Sequence, residues 1–429
     1  MTEQNKLRIG IAGLGNVGVG LVKLVNDQES LRLPGEMVIS AVSARSKTRD
    51  RGIDLSGIRW EDDPVKLAIS DDIDVYVELI GGSDGPARLS IEAALKAGKH
   101  VVTANKAVVA EHGEELARLA EENNVHLLFD AAVAGGVPIV RVIRDSLSSV
   151  NISRVSGILN GTCNYILSEM LTTGQEYSPV LAEAQKLGYA ESDPYLDVSG
   201  MDAAHKALIL SVLAFGAKPD FSKVLVSGVD QIDGVDILLS QKMGYRIRLV
   251  AEAVKNDSGV RCNVAPVLYK AEHPLAQITG PTNAVMVEGE PLGSVTMAGP
   301  GAGEGPTASA VMGDIARVLQ GPATPPFGTP VAKLNERMVR AVGDGPETTW
   351  FIRTRLSDKS GALASLSKAL AVCDVSIDQM HQDSSAGQLG APIAIMTHPC
   401  TRKAAESAAA MVEELDTCVD KPRVLRVEA

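Results

Sequence analysis

Aromatic residues are scarce in this sequence: Phe, Trp and Tyr together make up 3% of its 429 residues. The core must therefore be built from Ala, Val, Leu and Ile, which suits buried parallel strands covered by helices. Cysteines are also few, odd in number and scattered without a Cys-x-x-Cys spacing. Such a set argues against a disulfide framework and against a structural zinc site. The cysteines are Cys163, Cys262, Cys373, Cys400 and Cys418.

Long apolar runs and excess positive charge are missing as well. No run approaches the roughly 20 apolar residues that a membrane-spanning helix needs, and the polar start MTEQNKL does not resemble a signal peptide. The formal net charge of −12 disfavours nucleic acid and anionic membranes as partners. We expect a reduced, cytoplasmic protein with no nucleic-acid or membrane partner, and its length predicts two or three domains.

The N-terminal part alternates short apolar runs with amphipathic stretches. We predict strands at 7–12, 37–44, 75–80, 100–103 and 125–129, and helices near 16–30, 86–98 and 107–122. Strands that alternate with helices indicate βαβ units and a parallel, Rossmann-type sheet. We place this α/β domain at residues 1–136 and expect 305–345 to complete it.

The pattern changes after residue 136. Helical segments come first, near 137–148, 162–172, 178–187 and 201–216, and strand-like runs follow at 245–254, 261–269, 284–288 and 294–298. This order predicts an α+β domain at 137–304. A helix is predicted at 307–320, after the glycine-rich segment 298–307. Residues 349–429 read as β-α-β-β-α-β and form a predicted third domain.

The segment LRIGIAGLGNVGVGLVKLV carries Gly13-x-Gly15-x-x-Gly18 between a strand and a helix. Gly13 would permit the tight turn, Gly15 the approach of a pyrophosphate, and Gly18 close packing of the helix on the strand. The diphosphate would lie on the helix amides near Asn16 and Val17. An ordinary glycine-rich turn can show the same pattern, but the position within a βαβ series favours dinucleotide binding.

The end of the second predicted strand bears on cofactor preference. A site for NAD normally offers an Asp or Glu there for the ribose hydroxyl. This sequence has Arg45 and Lys47 instead, and two cations can hold the 2′-phosphate of NADP. NADP is therefore favoured and NAD stays possible; the alternative interpretation is a solvated basic turn.

Residues 187–210 combine acidic side chains with a lysine. Asp202 and Lys206 are four apart and project from one helical face. They could form a surface ion pair worth a few tenths of a kcal/mol. The apolar run ALILSVLAFGA that follows indicates instead a buried helix, and a buried lysine beside carboxylates is a candidate acid/base.

Six segments, in this order, resemble homoserine dehydrogenase across residues 7–345. They are ELIGG (78–82), TANKA (103–107), FDAAVAGGVPIV (129–140), ILNGTCNYIL (158–167), LGYAESDPYLDVSGMDAAHK (187–206) and GPGAGEGPTASAV (299–311). Residues 349–429 resemble an ACT domain. Because no aspartate kinase region precedes residue 1, the resemblance is to the monofunctional bacterial form. The middle domain would then serve catalysis, substrate binding and dimerisation.

The resemblance implies interconversion of L-homoserine and L-aspartate 4-semialdehyde in threonine and methionine biosynthesis. Lys206 would be the acid/base at the C4 oxygen, assisted by Lys106 beside the nicotinamide. Glu191 and Asp202 would bind the substrate, and Asp197 matches a further acidic position. A lysine can act as a base when burial and a second cation lower its pKa, so we expect the two lysines to depress each other's pKa.

Further cofactor and ion contacts are implied by the same resemblance. Gly188 and Gly303 match glycines that approach the cofactor. The loop Asp130–Val137 resembles an alkali-ion loop, although Asp130 stands where a glutamate is expected. A glycine-rich strand-to-helix turn is the alternative interpretation. The sodium ion would be held by the backbone carbonyls of Val133, Gly135 and Val137.

The ACT resemblance implies an amino-acid effector at the turn Asp358–Leu363, with L-threonine as the expected feedback inhibitor. Ser360 replaces the usual proline and makes this turn less rigid, and the stretch 382–390 is short and polar. ACT domains usually pair across a symmetric sheet, so a homodimer or homotetramer is expected.

Two other classes of function stay open from the sequence. One is a different amino-acid-linked NADP oxidoreductase, and the other is an inactive protein that senses nucleotide and amino acid. Cys163 could suggest the thiol of a semialdehyde dehydrogenase, but packing at a helix start is favoured. His205 points about 100° away from Lys206 on the helix and is interpreted as structural.

Overall fold

The computed structural model describes residues 6–339, 346–383 and 390–428. Its strands are β1 (Lys6–Ala12), β2 (Glu36–Ser43), β3 (Arg59–Trp60), β4 (Val75–Glu78), β5 (His100–Thr103), β6 (Leu127–Leu128), β7 (Asn151–Ile158), β8 (Leu225–Val226), β9 (Tyr245–Asn256), β10 (Gly259–Lys270), β11 (Thr282–Glu290), β12 (Gly293–Pro300), β13 (Met338–Val339), β14 (Trp350–Leu356), β15 (Ile377–Gln382), β16 (Ala391–Thr397) and β17 (Cys418–Glu428).

The helices alternate with these strands in the first part of the chain and cluster later. They are α1 (Asn16–Asn26), α2 (Pro64–Ala68), α3 (Pro86–Lys96), α4 (Lys106–Glu122), α5 (Ile139–Arg141), α6 (Gly161–Thr173), α7 (Tyr177–Lys186), α8 (Tyr195–Val198), α9 (Met201–Phe215), α10 (Gly234–Lys242), α11 (Glu304–Val318), α12 (Ala362–Val372) and α13 (Arg402–Glu413). Among the described helices, none combines the length and the apolar character that crossing a membrane requires.

The first sheet is parallel and has the strand order β3-β2-β1-β4-β5-β6. Its direction of winding reverses between β1 and β4, and ligands of such sheets bind in the crevice at the carboxyl ends of these strands. The predicted parallel α/β sheet is therefore confirmed. Helix α11 returns to this sheet, where Val311 and Ile315 share a core with Ile9 and Leu21. The exact domain boundaries stay a prediction.

The second sheet is mixed and runs in the order β12-β11-β7-β9-β10-β17-β14-β16-β15, with β8 and β13 also paired to β10. Strands β9 and β10 form a long antiparallel hairpin at its centre. Helix α9 lies against this hairpin, and Leu208 and Val212 of the helix belong to the same buried core as Ile247 and Leu249 of β9. This contact buries one face of α9 and leaves its first turn at the edge of the core.

The C-terminal segment has the predicted order β14-α12-β15-β16-α13-β17. It is not a separate sheet, because β17 pairs in parallel with β10 and thereby continues the second sheet. Charged side chains cross this junction: Arg353 of β14 donates to Asp236 of α10 at 2.7 Å, and Arg426 of β17 donates to Glu252 of β9. The C-terminal segment is therefore continuous with the sheet that supports α9.

Several predicted elements differ from the structure. The strand predicted at 125–129 is only the two residues of β6, the helix predicted at 16–30 ends at Asn26, and 137–148 becomes α5 followed by a π-helical turn at Val142–Ser146. Strand β7 and helix α10 were not predicted, because buried polar residues such as Ser156 and Asp236 interrupt their apolar pattern. Residues 384–389 of the predicted polar stretch, and 340–345, lie outside the described residues.

Candidate active site

The glycine-rich turn between β1 and α1 has the geometry of a phosphate-binding turn. Gly13 has φ +103°, and a Cβ there would lie 2.3 Å from the carbonyl oxygen of Leu79. A Cβ on Gly18 would lie 2.1 Å from the carbonyl oxygen of Gly13, so this glycine permits the close approach of α1. Gly15 precedes α1 and faces open space. The amides of Asn16 and the next residues are thus accessible to an anion, and the turn fits a dinucleotide diphosphate.

Two hydrogen-bonded segments fix the carboxyl ends of β4 and β5 beside that turn. The buried Glu78 carboxylate accepts from the Ile80 amide at 2.6 Å and from the Thr103 hydroxyl at 2.6 Å. Asn105 caps α4 and donates to the carbonyl of Gly82 at 2.7 Å. These bonds hold ELIGG and TANKA together, and they place Lys106 as the first residue of α4 at the carboxyl edge of the sheet.

Lys206 projects from α9 toward the same region. Its side chain is 12% exposed, and its Nζ donates to Asp202 Oδ2 and to the carbonyl of Leu159, both at 2.7 Å. The spacing of four residues on one helix creates the first bond, and the end of β7 supplies the second acceptor. The predicted pair is therefore not a surface ion pair. The two side chains are only 11–12% exposed, and the pair lies beside the connection that follows β7.

Asp202 lies between the two lysines. Its Oδ1 is 2.9 Å from Lys106 Nζ, and its Oδ2 accepts from Lys206. Burial by itself would raise the pKa of Asp202, but Lys206 and Lys106 outweigh it and hold the pKa well below the usual range. In return, the charge of Asp202 raises the pKa of Lys106 despite burial. The expected depression of the Lys106 pKa is therefore wrong, since the anionic Asp202 lies between the two lysines.

Two further carboxylates surround this cluster. Asp197, in α8, accepts from Asn160 Nδ2 at 2.8 Å, and burial raises its pKa. Glu191 lies on the exposed connection between α7 and α8, where its negative charge still contributes to the raised pKa of Lys106. Gly188 follows the end of α7, with φ +78° and no other atom within 4 Å of an added Cβ. The structure therefore brings Lys106, Asp197, Asp202 and Lys206 into one cluster, with Glu191 nearby.

The residues that bear on cofactor preference lie beyond the end of β2. Arg45 and Lys47 are both exposed there. Arg51, which the sequence did not single out, donates to the carbonyl of Leu14 at 3.2 Å and to that of Ser46 at 2.6 Å. It thereby ties the Arg45–Lys47 loop to the glycine-rich turn. Gly303 has φ +115° and precedes α11, which lies against α1.

The predicted ion loop is buried and sharply bent. Ala134 and Gly135 have positive φ values of +55° and +50°. No hydrogen bond from a described residue reaches the carbonyl oxygens of Val133 and Gly135, whereas that of Val137 accepts from the Ile139 amide at 2.7 Å. Free buried carbonyls of this kind fit a hard cation. Asp130 points elsewhere, since its carboxylate accepts from the Arg141 amide at 3.2 Å.

Cys163 and His205, which the sequence indicates as structural residues, make packing contacts in the structure. Cys163 is fully buried in the first turn of α6, and burial raises the pKa of its thiol well above the usual value. This environment does not favour the thiolate that a nucleophile requires. His205 stacks on the ring of Phe221 and lies 3.5 Å from Glu111. Neither residue contacts the lysine pair through a described hydrogen bond.

The sequence did not single out the polar groups that hold the cluster in place. Leu159 contributes only a backbone oxygen, which no side-chain pattern reveals. Asn160 lies within the segment ILNGTCNYIL, and its amide reaches both Asp197 and Asp202. The available signal was a helix-capping Asn directly after an apolar run.

A parallel dinucleotide sheet with a lysine–aspartate–lysine cluster at its carboxyl edge defines a class: a nicotinamide-dependent oxidoreductase. Comparison with known families agrees. The model described as "Homoserine dehydrogenase, NAD binding domain" matches residues 13–130, and the model "Homoserine dehydrogenase" matches residues 138–316. The chain belongs to the homoserine dehydrogenase family and is an oxidoreductase with an NAD-binding domain.

Relatives match over nearly the whole chain. A homoserine dehydrogenase of Neisseria gonorrhoeae is 39% identical to this chain, and the match covers 99% of this chain and 99% of the relative. That of Pseudomonas aeruginosa is 36% identical and covers 98% of this chain and 99% of its own.

Solved structures agree in fold. A homoserine dehydrogenase from Thiobacillus denitrificans superposes with a TM-score of 0.89 at 34% identity, covering 99% of this chain and 98% of its own. A hyperthermophilic archaeal homoserine dehydrogenase in complex with NADPH matches at a TM-score of 0.64 and 28% identity. It covers 73% of this chain and 98% of its own.

Proposed function

We propose that the chain interconverts L-homoserine and L-aspartate 4-semialdehyde with NADP, using Lys206 as the acid/base and Lys106 as its assistant. The observation that carries these roles is the position of Asp202, whose two oxygens each hold one lysine ammonium group at the carboxyl edge of the dinucleotide sheet. The enzyme would supply aspartate-derived homoserine to threonine and methionine biosynthesis in the cytoplasm.

Lys206 is suited to move the proton. When bound, the cofactor supplies or accepts the hydride at C4, and the C4 oxygen must gain or lose a proton in the same reaction. The ammonium of Lys206 is anchored by Asp202 and by the Leu159 carbonyl, which fixes its direction and keeps one N–H free for the substrate. Lys106, kept protonated by Asp202, stabilises the negative charge that develops on the same oxygen during reduction.

The carboxylates bind the amino-acid part of the substrate. An α-ammonium group needs an anionic partner, and Glu191 is exposed and makes no ion pair with a described residue. We therefore assign the ammonium group to Glu191 and Asp202 together, with Asp197 as the third carboxylate nearby. Because the lysines already occupy Asp202, Glu191 is the carboxylate that is free to make the first contact.

The cofactor would bind across Gly13, Gly15 and Gly18, with Gly188 and Gly303 beside it. Arg45 would contact the 2′-phosphate, since it is exposed at the end of β2 and no acidic residue stands there to repel a phosphate. A sodium ion would bind the carbonyls of Val133, Gly135 and Val137, two of which accept no hydrogen bond from the described residues.

The C-terminal segment would bind L-threonine as a feedback inhibitor and pair in a homodimer or homotetramer. A cleft of about 310 Å³ lies where β14 turns into α12. Asp358, Lys359 and Gly361 are among its lining residues, so both charges that an amino acid requires are available. Because β17 pairs with β10, this segment is directly connected to the second sheet, against which α9, the helix that carries Lys206, lies.

The decisive experiment follows NADPH oxidation with L-aspartate 4-semialdehyde. A general acid/base contributes about 10²–10⁴-fold, so Lys206→Ala should lower kcat/KM by at least about a hundredfold. Lys218→Ala is the matched control, because Lys218 pairs with Glu114 away from the cluster. A Lys206→Ala variant within about tenfold of the parent, a loss below about 1.4 kcal/mol, would contradict the assigned role.

Separate measurements test the remaining assignments. Comparison of NADPH with NADH as substrates tests cofactor preference, and saturating threonine tests the C-terminal domain. Light scattering in solution distinguishes dimer from tetramer. If aspartate 4-semialdehyde is not reduced while NADPH still binds, the substrate assignment fails and another amino-acid-linked aldehyde is indicated.

A further inference from the structure

Asn160 occupies the junction between the second sheet and the lysine cluster. Strand β7 ends at Ile158, and α6 begins at Gly161, so Leu159 and Asn160 form the whole connection. Asn160 is 4% exposed. A polar amide this deeply buried must satisfy its hydrogen bonds internally, and its partners therefore indicate its role.

The amide group of Asn160 makes three hydrogen bonds to three different elements. Its Oδ1 accepts from the backbone amide of Cys163 at 2.8 Å and so caps α6. Its Nδ2 donates to Asp197 Oδ1 at 2.8 Å and to Asp202 Oδ2 at 3.0 Å. Because a backbone N–H can only donate, the Cys163 bond fixes which end of the amide carries oxygen. Both N–H donors must therefore face the two carboxylates.

This arrangement separates two partly buried carboxylates with one neutral donor. Asp197 and Asp202 repel each other, and the charge of Asp202 adds to the burial that raises the pKa of Asp197. The oxygen of Asp202 that accepts from Asn160 is the same atom that accepts from Lys206. The adjacent Leu159 carbonyl accepts from the same lysine. Leu159 thus holds the lysine directly, and Asn160 holds it indirectly through Asp202.

We infer that Asn160 is a positioning residue for the proposed proton transfer: it fixes the rotation of the Asp202 carboxylate so that one oxygen faces each lysine. It acts on the reaction through Asp202 and Lys206 and does not contact the reacting atoms. The inference rests on the proposed role of Lys206. It goes further, because it makes a neutral residue responsible for the geometry of the charged cluster.

Two variants separate this role from helix capping. Asn160→Ser keeps an efficient capping oxygen but is too short to reach both carboxylates. Asn160→Asp keeps the capping acceptor, removes both donors and adds a third negative charge beside Asp197 and Asp202. Asn164→Ala is the control for stability, because Asn164 is equally buried on α6 and donates to the carbonyl of Gly280, away from the lysines.

The expected result is a loss of kcat without a loss of cofactor affinity. A misplacement of about 1 Å can cost on the order of a hundredfold in rate, so Asn160→Ser should lower kcat by about 10–100-fold while KM for NADPH stays within about twofold. For Asn160→Asp, the added anion stabilises protonated forms, so the pH profile of kcat should move to higher pH. Asn164→Ala should lower the melting temperature and leave the pH profile unchanged.

Lys206→Ala, measured in parallel, distinguishes the possible failures. One outcome is that Lys206→Ala loses its activity while Asn160→Ser keeps kcat within about twofold and Asn160→Asp keeps the parent pH profile. The positioning role is then overturned and the proposed function stands. If Lys206→Ala itself stays active, the proposed function fails first. If Asn160→Ser has a lowered melting temperature, as expected for Asn164→Ala, the pH profile of Asn160→Asp tests the positioning role, because that variant retains the helix cap. A shifted profile then supports the role, and an unchanged profile overturns it.

Discussion

Arg426 on the last strand donates two hydrogen bonds to the carboxylate of Glu252 on β9, at 2.9 and 3.0 Å. Arg154 of β7 donates to the same carboxylate and also to Glu428. The Glu252 side chain is 4% exposed. This buried network links the C-terminal strand to β7, and β7 leads directly to Leu159 and Asn160 at the lysine cluster.

Glu252→Gln should destabilise the fold at neutral pH. Burial alone would raise the pKa of Glu252, but Arg426 and Arg154 lower it to about 2. Removing one partner of a buried pair costs about 3–5 kcal/mol. Urea unfolding measures the loss. Glu406→Gln, which breaks an exposed pair with Arg402, should change the free energy of unfolding by at most about 1 kcal/mol.

The same pair has a defined pH window. The folded pKa of Glu252 lies below the unfolded value of about 4.3, so its contribution is complete above that pH and is lost as the pH falls toward 2. The difference in unfolding free energy between the parent and Glu252→Gln should therefore shrink over this range. A difference that stays constant down to pH 2 would show that folding does not lower the pKa of Glu252.

Asp202→Asn should lower both activity and the pKa of Lys106. The charge of Asp202 is the main reason that this pKa is raised, so without it Lys106 loses its proton at lower pH. The alkaline limb of the kcat profile for aldehyde reduction should shift downward, and kcat should fall by about a hundredfold or more. Asp193→Asn, an exposed change in the same acidic loop, should leave the profile as it is. An unmoved alkaline limb in Asp202→Asn would contradict the coupling.

Gly15→Ala and Gly18→Ala should have different effects. A methyl group at position 15 would meet no protein atom within 4 Å, whereas at position 18 it would lie 2.1 Å from the Gly13 carbonyl oxygen. Gly15→Ala should therefore keep the melting temperature and weaken NADPH binding, since the backbone can no longer approach the pyrophosphate. Gly18→Ala should lower the melting temperature by several degrees. Equal melting temperatures for the two variants would exclude this geometry.

Arg45→Ala should weaken binding of NADPH but not of NADH. A charge-assisted hydrogen bond to a 2′-phosphate contributes about 1.5–3 kcal/mol, so KM for NADPH should rise about tenfold or more. Arg32→Ala removes another exposed arginine and serves as the control. An equal rise of KM for both cofactors would show that Arg45 does not contact the 2′-phosphate.

Prediction from sequence succeeded where the signal is local. Gly13, Gly15 and Gly18 occur within one turn, and Asp202 and Lys206 lie on one helix, so their spacing fixes their mutual geometry. It failed at β7, because Ser156 is buried there and the charged side chain of Arg154 is only 18% exposed. The burial of Arg154 is made possible by Glu252 and Glu428, which are distant in sequence.

By itself, the sequence determined the parallel dinucleotide sheet, the order of elements in the C-terminal segment and the Asp202–Lys206 pair. These features depend on hydrophobic periodicity and on contacts within a few residues. Only the tertiary structure decided that Asp202 would separate the two lysines, that Asn160 would join Asp197 to Asp202, and that β17 would extend the second sheet. Each of these contacts closes a long loop of chain, and its electrostatic effect depends on distances and burial that only the folded chain defines.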